Sequence, residues 1–198
     1  MVEESSTPTH RVVRLSATQI RTLAHPLRVR LLGMLRLDGP ATATTLARLL
    51  DTNTGATSYH LRQLAEVGLV TEETDRGTAR QRFWRAAHEV STWQPNDFDD
   101  DPDARAAADW IGSEQLRFLG EQTEKWFAVR DTVPRAWREA ATISDALLTL
   151  SPTRLRALNE EMWNVIVKYR QDTSFAEEED ASQVHVFLAS IPRAEELR

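Results

Sequence analysis

Along the first half of the chain, apolar positions recur at helical spacing and are interrupted by residues that start or stop helices. Ser16 and Gln19 stand at capping-box spacing, with Leu15 and Ile20 at the staple positions, so the spacing predicts a helix from Ser16. It should stop near Ala24, because Pro26 disfavours helical backbone at His25. Pro26 then suits the first turn of a second helix. Val29, Leu32, Gly33 and residues 35–37 give that helix an apolar side, and Gly39-Pro40 closes it. Thr42 can cap a third helix, with Leu46, Leu49 and Leu50 facing inward. Residues 51–54 read as a turn, and a fourth helix over 55–67 directs Leu61 and Leu64 inward. Gly68 is placed to close it in left-handed backbone, with Leu69 meeting Leu64 beyond.

The period then changes. Residues 69–73 and 80–85 read as two strands, with a turn at 75–78 that includes Gly77. Helix, helix, helix-turn-helix and hairpin in that order predict a winged helix. A long helix follows over 102–131, with Asp101 as cap, Pro102 at its first position, and Asp99, Asp100 and Asp103 complementing the helix dipole. A weaker helix is expected over 133–149. Ser151-Pro152 starts another, whose Leu155, Leu158, Met162, Val165, Ile166 and Tyr169 form an amphipathic stripe. Residues 11–15 and 184–188 are strand-like, and each needs a partner for its backbone groups, so they are candidates to pair with each other. The fold class is therefore mainly α: a winged helix-turn-helix domain with a small β-hairpin wing, followed by an α-helical dimerisation region.

Charge first argues against nucleic acid. Across 198 residues, 30 carboxylates outnumber 24 basic side chains, for a net −6. The total hides an asymmetry. Residues 1–94 hold 12 arginines against 9 carboxylates, a net +3, and residues 95–198 hold 12 basic residues against 21, a net −9. A basic half and an acidic half suggest two jobs. The seam at 95–101, rich in aspartate and proline, reads as an acidic linker. The domain reading is a disordered tail over 1–10, a DNA-binding domain over 11–94, the linker, and a helical dimerisation or effector region over 102–198.

The fourth helix carries the candidate chemistry. The major groove admits one helix, whose N-terminal residues meet base edges. With Leu61 and Leu64 buried, and Thr57 and His60 lying one turn before them, the opposite face presents Gly55, Ser58, Tyr59 and Arg62, with Gln63 at its edge. Ser58 and Tyr59 can reach phosphates or bases, and Arg62 can bind guanine or phosphate. Arg76, Arg80 and Arg82 on the hairpin suit the narrow, strongly negative minor groove, or else are solvated hairpin charges.

Residues 23–32 (LAHPLRVRLL) and 58–70 (SYHLRQLAEVGLV) resemble the ArsR-type winged-helix regulators over about residues 15–90. The resemblance implies a homodimeric bacterial regulator on a near-palindromic DNA operator, and its recognition-helix positions fall on Thr57, Ser58, His60 and Arg62. The family's metal sensors carry a cysteine motif on the first helix of the pair. Residues 45–50 here contain no cysteine, so the chain is closer to larger, metal-free members with a helical extension.

Other chemistry finds little footing. Without cysteine there is no disulfide, thiolate metal site or cysteine nucleophile. The five histidines form no close-spaced ligand pair, and the chain shows no glycine-rich phosphate loop and no Gly-x-Ser-x-Gly. Neither an enzyme nor a bound cofactor is expected. No apolar run is long enough to span a membrane, which suggests a cytoplasmic protein. Trp110, Trp126, Trp137 and Trp163 suit a core or dimer interface, with a small-molecule effector pocket as the alternative. The expected dimer interface combines Ile20 of the first helix with Leu155, Leu158, Met162, Val165, Ile166 and Tyr169. The rival from another class is a winged-helix module that holds a protein partner.

Overall fold

The structure, a computed structural model, describes residues 12–78, 81–88 and 90–197. The expected tail over 1–10 and Arg80 lie outside the described residues. The chain divides into two compact units, Met1–Gln122 and Thr123–Arg198.

The helices of the first unit begin where side chains can satisfy their free N–H groups. Before α1 (Ala17–Leu23), the Ser16 hydroxyl accepts from the Gln19 N–H at 3.3 Å, and Gln19 Oε1 accepts from the Ser16 N–H at 3.0 Å. Before α2 (Pro26–Leu37), His25 Nδ1 accepts from the Leu27 N–H at 3.1 Å. Thr42 caps α3 (Ala43–Leu49) through the Thr45 N–H at 3.1 Å. Asn53 caps α4 (Thr54–Glu66) through the Ala56 N–H at 2.7 Å. Gly68, at φ +72°, ends α4, and the Leu69 N–H returns to the Leu64 carbonyl at 2.9 Å.

Among the described residues, five strands complete the unit. β1 (Val12–Arg14) runs parallel to β5 (Val90–Thr92), with Val13 opposite Ser91. β2 (Ala41–Thr42), β3 (Val70–Thr78) and β4 (Gln81–Ala86) form an antiparallel sheet in the order β2-β4-β3. The expected turn at 75–78 is instead part of β3, whose Thr78 pairs with Gln81. The expected pairing of 11–15 with 184–188 does not occur. β1 finds β5 instead, and residues 184–188 form no strand. β5 lies close in sequence to the wing and leads its partner back to the start of α1, so no remote strand is needed.

One apolar cluster joins α1, α2, α3, α4, β3 and β4, with Leu31, Leu32, Leu46, Leu61, Leu64 and Trp84 among its members. Leu49 departs from expectation. It is 56% exposed, because Leu46 and Leu50 share the inward face of α3 and Leu49 lies away from it. Ile20 is fully buried in this same core, so its assignment to a dimer interface is corrected.

The segment read as a linker also packs. Pro95–Phe98 is a turn of 3₁₀ helix, and Phe98 enters the core. Two of the segment's aspartates, Asp97 and Asp101, meet arginines. Asp97 receives the guanidinium of Arg14, with Nε at 2.9 Å, and Asp101 receives that of Arg21. Asp101 also caps α5 (Pro102–Val129) through the Ala104 N–H at 3.0 Å. Ala104, Ala107, Ala108 and Ile111 then join the core cluster, so the first unit's packing continues into α5.

The second unit has a different character. α6 (Arg135–Ala140) is short, and residues 141–150 adopt no regular structure, where a helix over 133–149 was expected. Thr142, Ile143, Ser144 and Asp145 are poor helix formers in succession, and they stop it. α7 (Pro152–Gln171) is long and capped by Ser151. Among the described residues from 123 to 198, none is buried. On α7, Leu155, Leu158, Met162 and Ile166 are half-buried, and Val165 and Tyr169 are 57% and 63% exposed. Among the described residues, no helix is long and apolar enough to cross a membrane.

Candidate nucleic-acid interface

α4 is held by one face and presents the other. Thr57, Leu61 and Leu64 are buried at the four- and three-residue spacing that lines up along a helix. The Thr57 hydroxyl donates to the Asn53 carbonyl at 3.1 Å within the helix start. Thr57 is therefore an anchor of the helix and cannot reach a groove, which corrects its place among the DNA-contacting residues.

The opposite side carries Gly55, Tyr59 and Arg62, all exposed, with Tyr59 at 54%. Ser58 flanks this face, half-buried. Gln63 is half-buried at the other edge and donates to Glu66 at 2.9 Å. Glu66 shares the presented face one turn beyond Arg62, a carboxylate that attention to basic residues alone passes over. A Cβ on Gly55 would meet Asn53 Oδ1 at 3.2 Å, so glycine leaves room for the cap and for close approach.

His60 faces α2 rather than solvent. Its ring centroid is 4.3 Å from that of His25, and Tyr59 stands edge-on to it at 5.2 Å. Its Nδ1 is buried with no hydrogen-bond partner among the described residues. Burial holds both histidines below their ordinary value. The neighbouring Arg28 charge adds to this for His25, and the His25 and Arg28 charges add to it for His60. His60 therefore packs as a spacer between α2 and α4.

The wing contributes less free charge than its arginines suggest. Arg82 on β4 is bonded to Glu72 on β3 at 2.7 Å, an exposed cross-strand pair. Arg76 is in β3 and Arg80 falls outside the described residues. On α4, by contrast, Arg62 is exposed and has no ion pair among the described residues.

The acidic half was a candidate effector region. Trp126, Phe127, Arg130, Arg138 and Ile143 line a shallow groove in the second unit, but Trp137 and Trp163 are not part of it. Trp110 packs against the core of the first unit.

A core shared by α1, α2, α3 and α4, a capped second helix of the pair with one face presented, and a hairpin beside it make a winged helix-turn-helix module. Residues 23–73 match the family model described as a helix-turn-helix domain. Among solved structures, the chain is similar to HlyU from Vibrio cholerae, with 29% identity over 35% of this chain and 68% of that one, at a TM-score of 0.31. It is similar to a homodimeric winged helix-turn-helix DNA-binding domain from Mycobacterium bovis, with 23% identity over 52% of this chain and 82% of that one, TM-score 0.34. A ZitR variant from Lactococcus lactis shares 17% identity over 76% and 77% of the two chains, TM-score 0.29. No curated protein matches the chain.

Proposed function

We propose that the protein is a DNA-binding transcriptional regulator that acts as a homodimer on a near-palindromic operator, without catalysis. The observation that carries this reading is the face of α4: Gly55, Tyr59 and Arg62 stand exposed on a helix fixed from behind by Thr57, Leu61 and Leu64. A rigid helix with small and basic residues near its start suits the major groove, where Arg62 can meet guanine or phosphate. Arg76, Arg80 and Arg82 reach the flanking backbone or minor groove from the wing. For Arg82 this requires exchange of Glu72 for a phosphate. The helical half supplies the contact with a second copy, because Val165 and Tyr169 of the α7 stripe stay exposed in one chain.

The test is a gel shift with the region upstream of the protein's own gene, run across a salt series, for the wild type and Arg62→Ala. Binding that weakens steeply with salt, and a loss of discrimination against unrelated DNA in Arg62→Ala, support the reading. Salt-independent binding with unchanged affinity in Arg62→Ala overturns it and favours a protein partner on the winged helix.

A further inference from the structure

One stretch of the second unit runs against the charge of its half. Residues 126–143 hold three arginines, Arg130, Arg135 and Arg138, against two carboxylates, Asp131 and Glu139, a net +1 where residues 95–198 carry −9. The end of α5, a 3₁₀ turn over Arg130–Thr132 and α6 enclose a groove of about 230 Å³ with Trp126, Phe127, Arg130, Arg138 and Ile143 on its walls. Every wall residue comes from this one stretch, and none is a carboxylate. The two acids of the stretch are engaged or turned to solvent. Glu139 accepts from Arg135 Nε at 2.6 Å, and Asp131, its side chain 85% exposed, stands 3.8 Å from Arg130 Nε. Arg138 has no ion pair among the described residues. The Arg130 guanidinium lies 5.3 Å from the centre of the Phe127 ring. Stacking of that kind uses the face of the guanidinium and leaves its in-plane N–H donors for an anion.

We propose that this groove binds a small planar aromatic carboxylate, with its charged group on Arg130 and Arg138 and its ring against Trp126 and Phe127. The donors of a guanidinium form a planar fork that matches the two oxygens of a carboxylate. Aromatic walls favour a ring over an aliphatic chain, through offset or edge-on contact. Trp126 is half-buried, so its indole is already held, and Phe127 is 50% exposed and offers an open surface. The volume sets the size of the guest: drug-sized pockets begin at roughly 300 Å³, and this one is smaller, so it suits a single ring. An inorganic anion would leave both aromatic walls unused. A duplex would bring many phosphates towards the surplus carboxylates of this half, whereas a small anion meets the groove alone. The site goes beyond the DNA-binding reading and does not rest on it; it gives the same chain a small-molecule input.

Fluorine NMR of three probes titrated with the full chain tests the site: 4-fluorobenzoate, 4-fluorobenzamide with the ring but no charge, and trifluoroacetate with the charge but no ring. The wild type should bind 4-fluorobenzoate at least about tenfold more tightly than either of the others, the value of one charge-assisted hydrogen bond or one ring contact. Arg138→Gln should weaken 4-fluorobenzoate by about tenfold, and Arg138→Lys by less, because a lysine keeps the charge and loses the fork. Trp126→Leu should erase most of the preference for 4-fluorobenzoate over trifluoroacetate while leaving trifluoroacetate unchanged. Equal binding of 4-fluorobenzoate and 4-fluorobenzamide overturns the site, as does no binding of 4-fluorobenzoate up to about 10 mM. Unchanged affinity in the double variant Arg130→Gln with Arg138→Gln, its helicity retained, also overturns it. The three-probe comparison uses the wild type alone, so it decides even if a variant folds poorly. No DNA enters these titrations, so loss of the site leaves the DNA-binding reading standing, and loss of that reading leaves the site.

Discussion

The ring of His25 lies 4.3 Å from the ring of His60, across the joint between α2 and the presented helix α4. The charge of Arg28 on α2 acts on both rings. His25 Nδ1 also accepts the Leu27 N–H, so a proton there would remove the cap of α2. Both rings are held below the ordinary value of 6.5, chiefly by burial. The unfolded chain therefore takes up protons first as the pH falls. Stability is complete above about 6.5, and it is lost progressively as the pH drops from there through the lowered folded values. Melting curves at about pH 7.5 and about pH 5.5 should show the loss. His60→Gln should lose less between the two, whatever its starting stability. An equal loss in both proteins would sink the role of this pair.

Gly68 and Gly120 make opposite predictions for the same substitution. At both, an added Cβ meets nothing within 4 Å, so packing plays no part. Gly68 sits at φ +72°, and Gly68→Ala should cost about 1 kcal/mol, because an L side chain strains left-handed backbone. Gly120 is exposed inside α5, and Gly120→Ala should stabilise by about 0.5–1 kcal/mol through helix propensity. Urea melts of the two variants with unchanged slope check both signs.

The parts of the fold that depend on neighbours in sequence were legible in it. Ser16, Pro26, Thr42, Asp101 and Ser151 announce helix starts, because a cap is a contact over three residues. Gly68 announces an end for the same reason. What could not be read depends on packing between distant segments. β2 is two residues long and exists only because β4 lies beside it. The 95–101 segment reads as a linker when its charges are counted without their partners; Arg14 and Arg21 are about eighty residues away. At the site, the Leu61/Leu64 spacing placed Gly55, Tyr59 and Arg62 on the presented face.

Phe98 makes the 95–101 segment part of the first unit's core. Its side chain is 3% exposed and belongs to the cluster that holds Leu61 and Leu64. Phe98→Ala should therefore destabilise the winged helix by about 3–5 kcal/mol, the usual cost of emptying a buried aromatic site. A linker residue would cost almost nothing. Chemical denaturation followed by circular dichroism measures the difference. A change under about 1 kcal/mol would restore the linker reading.

The exposed stripe of α7 sets the last test. Val165 and Tyr169 are one helical turn apart and lie open, in a unit where no described residue from 123 to 198 is buried. An amphipathic helix gains most of its stability by covering its apolar face, so an uncovered stripe of this length favours association. Val165→Glu combined with Tyr169→Glu places two charges on that face and leaves the first unit's core intact. Light scattering should give twice the chain mass for the wild type and a single chain mass for the double variant, with helicity by circular dichroism retained. DNA affinity should fall with it, because two half-sites bound by separate chains lose the benefit of linkage. A wild type that is monomeric at micromolar concentration, with its helices intact, would refute the dimer.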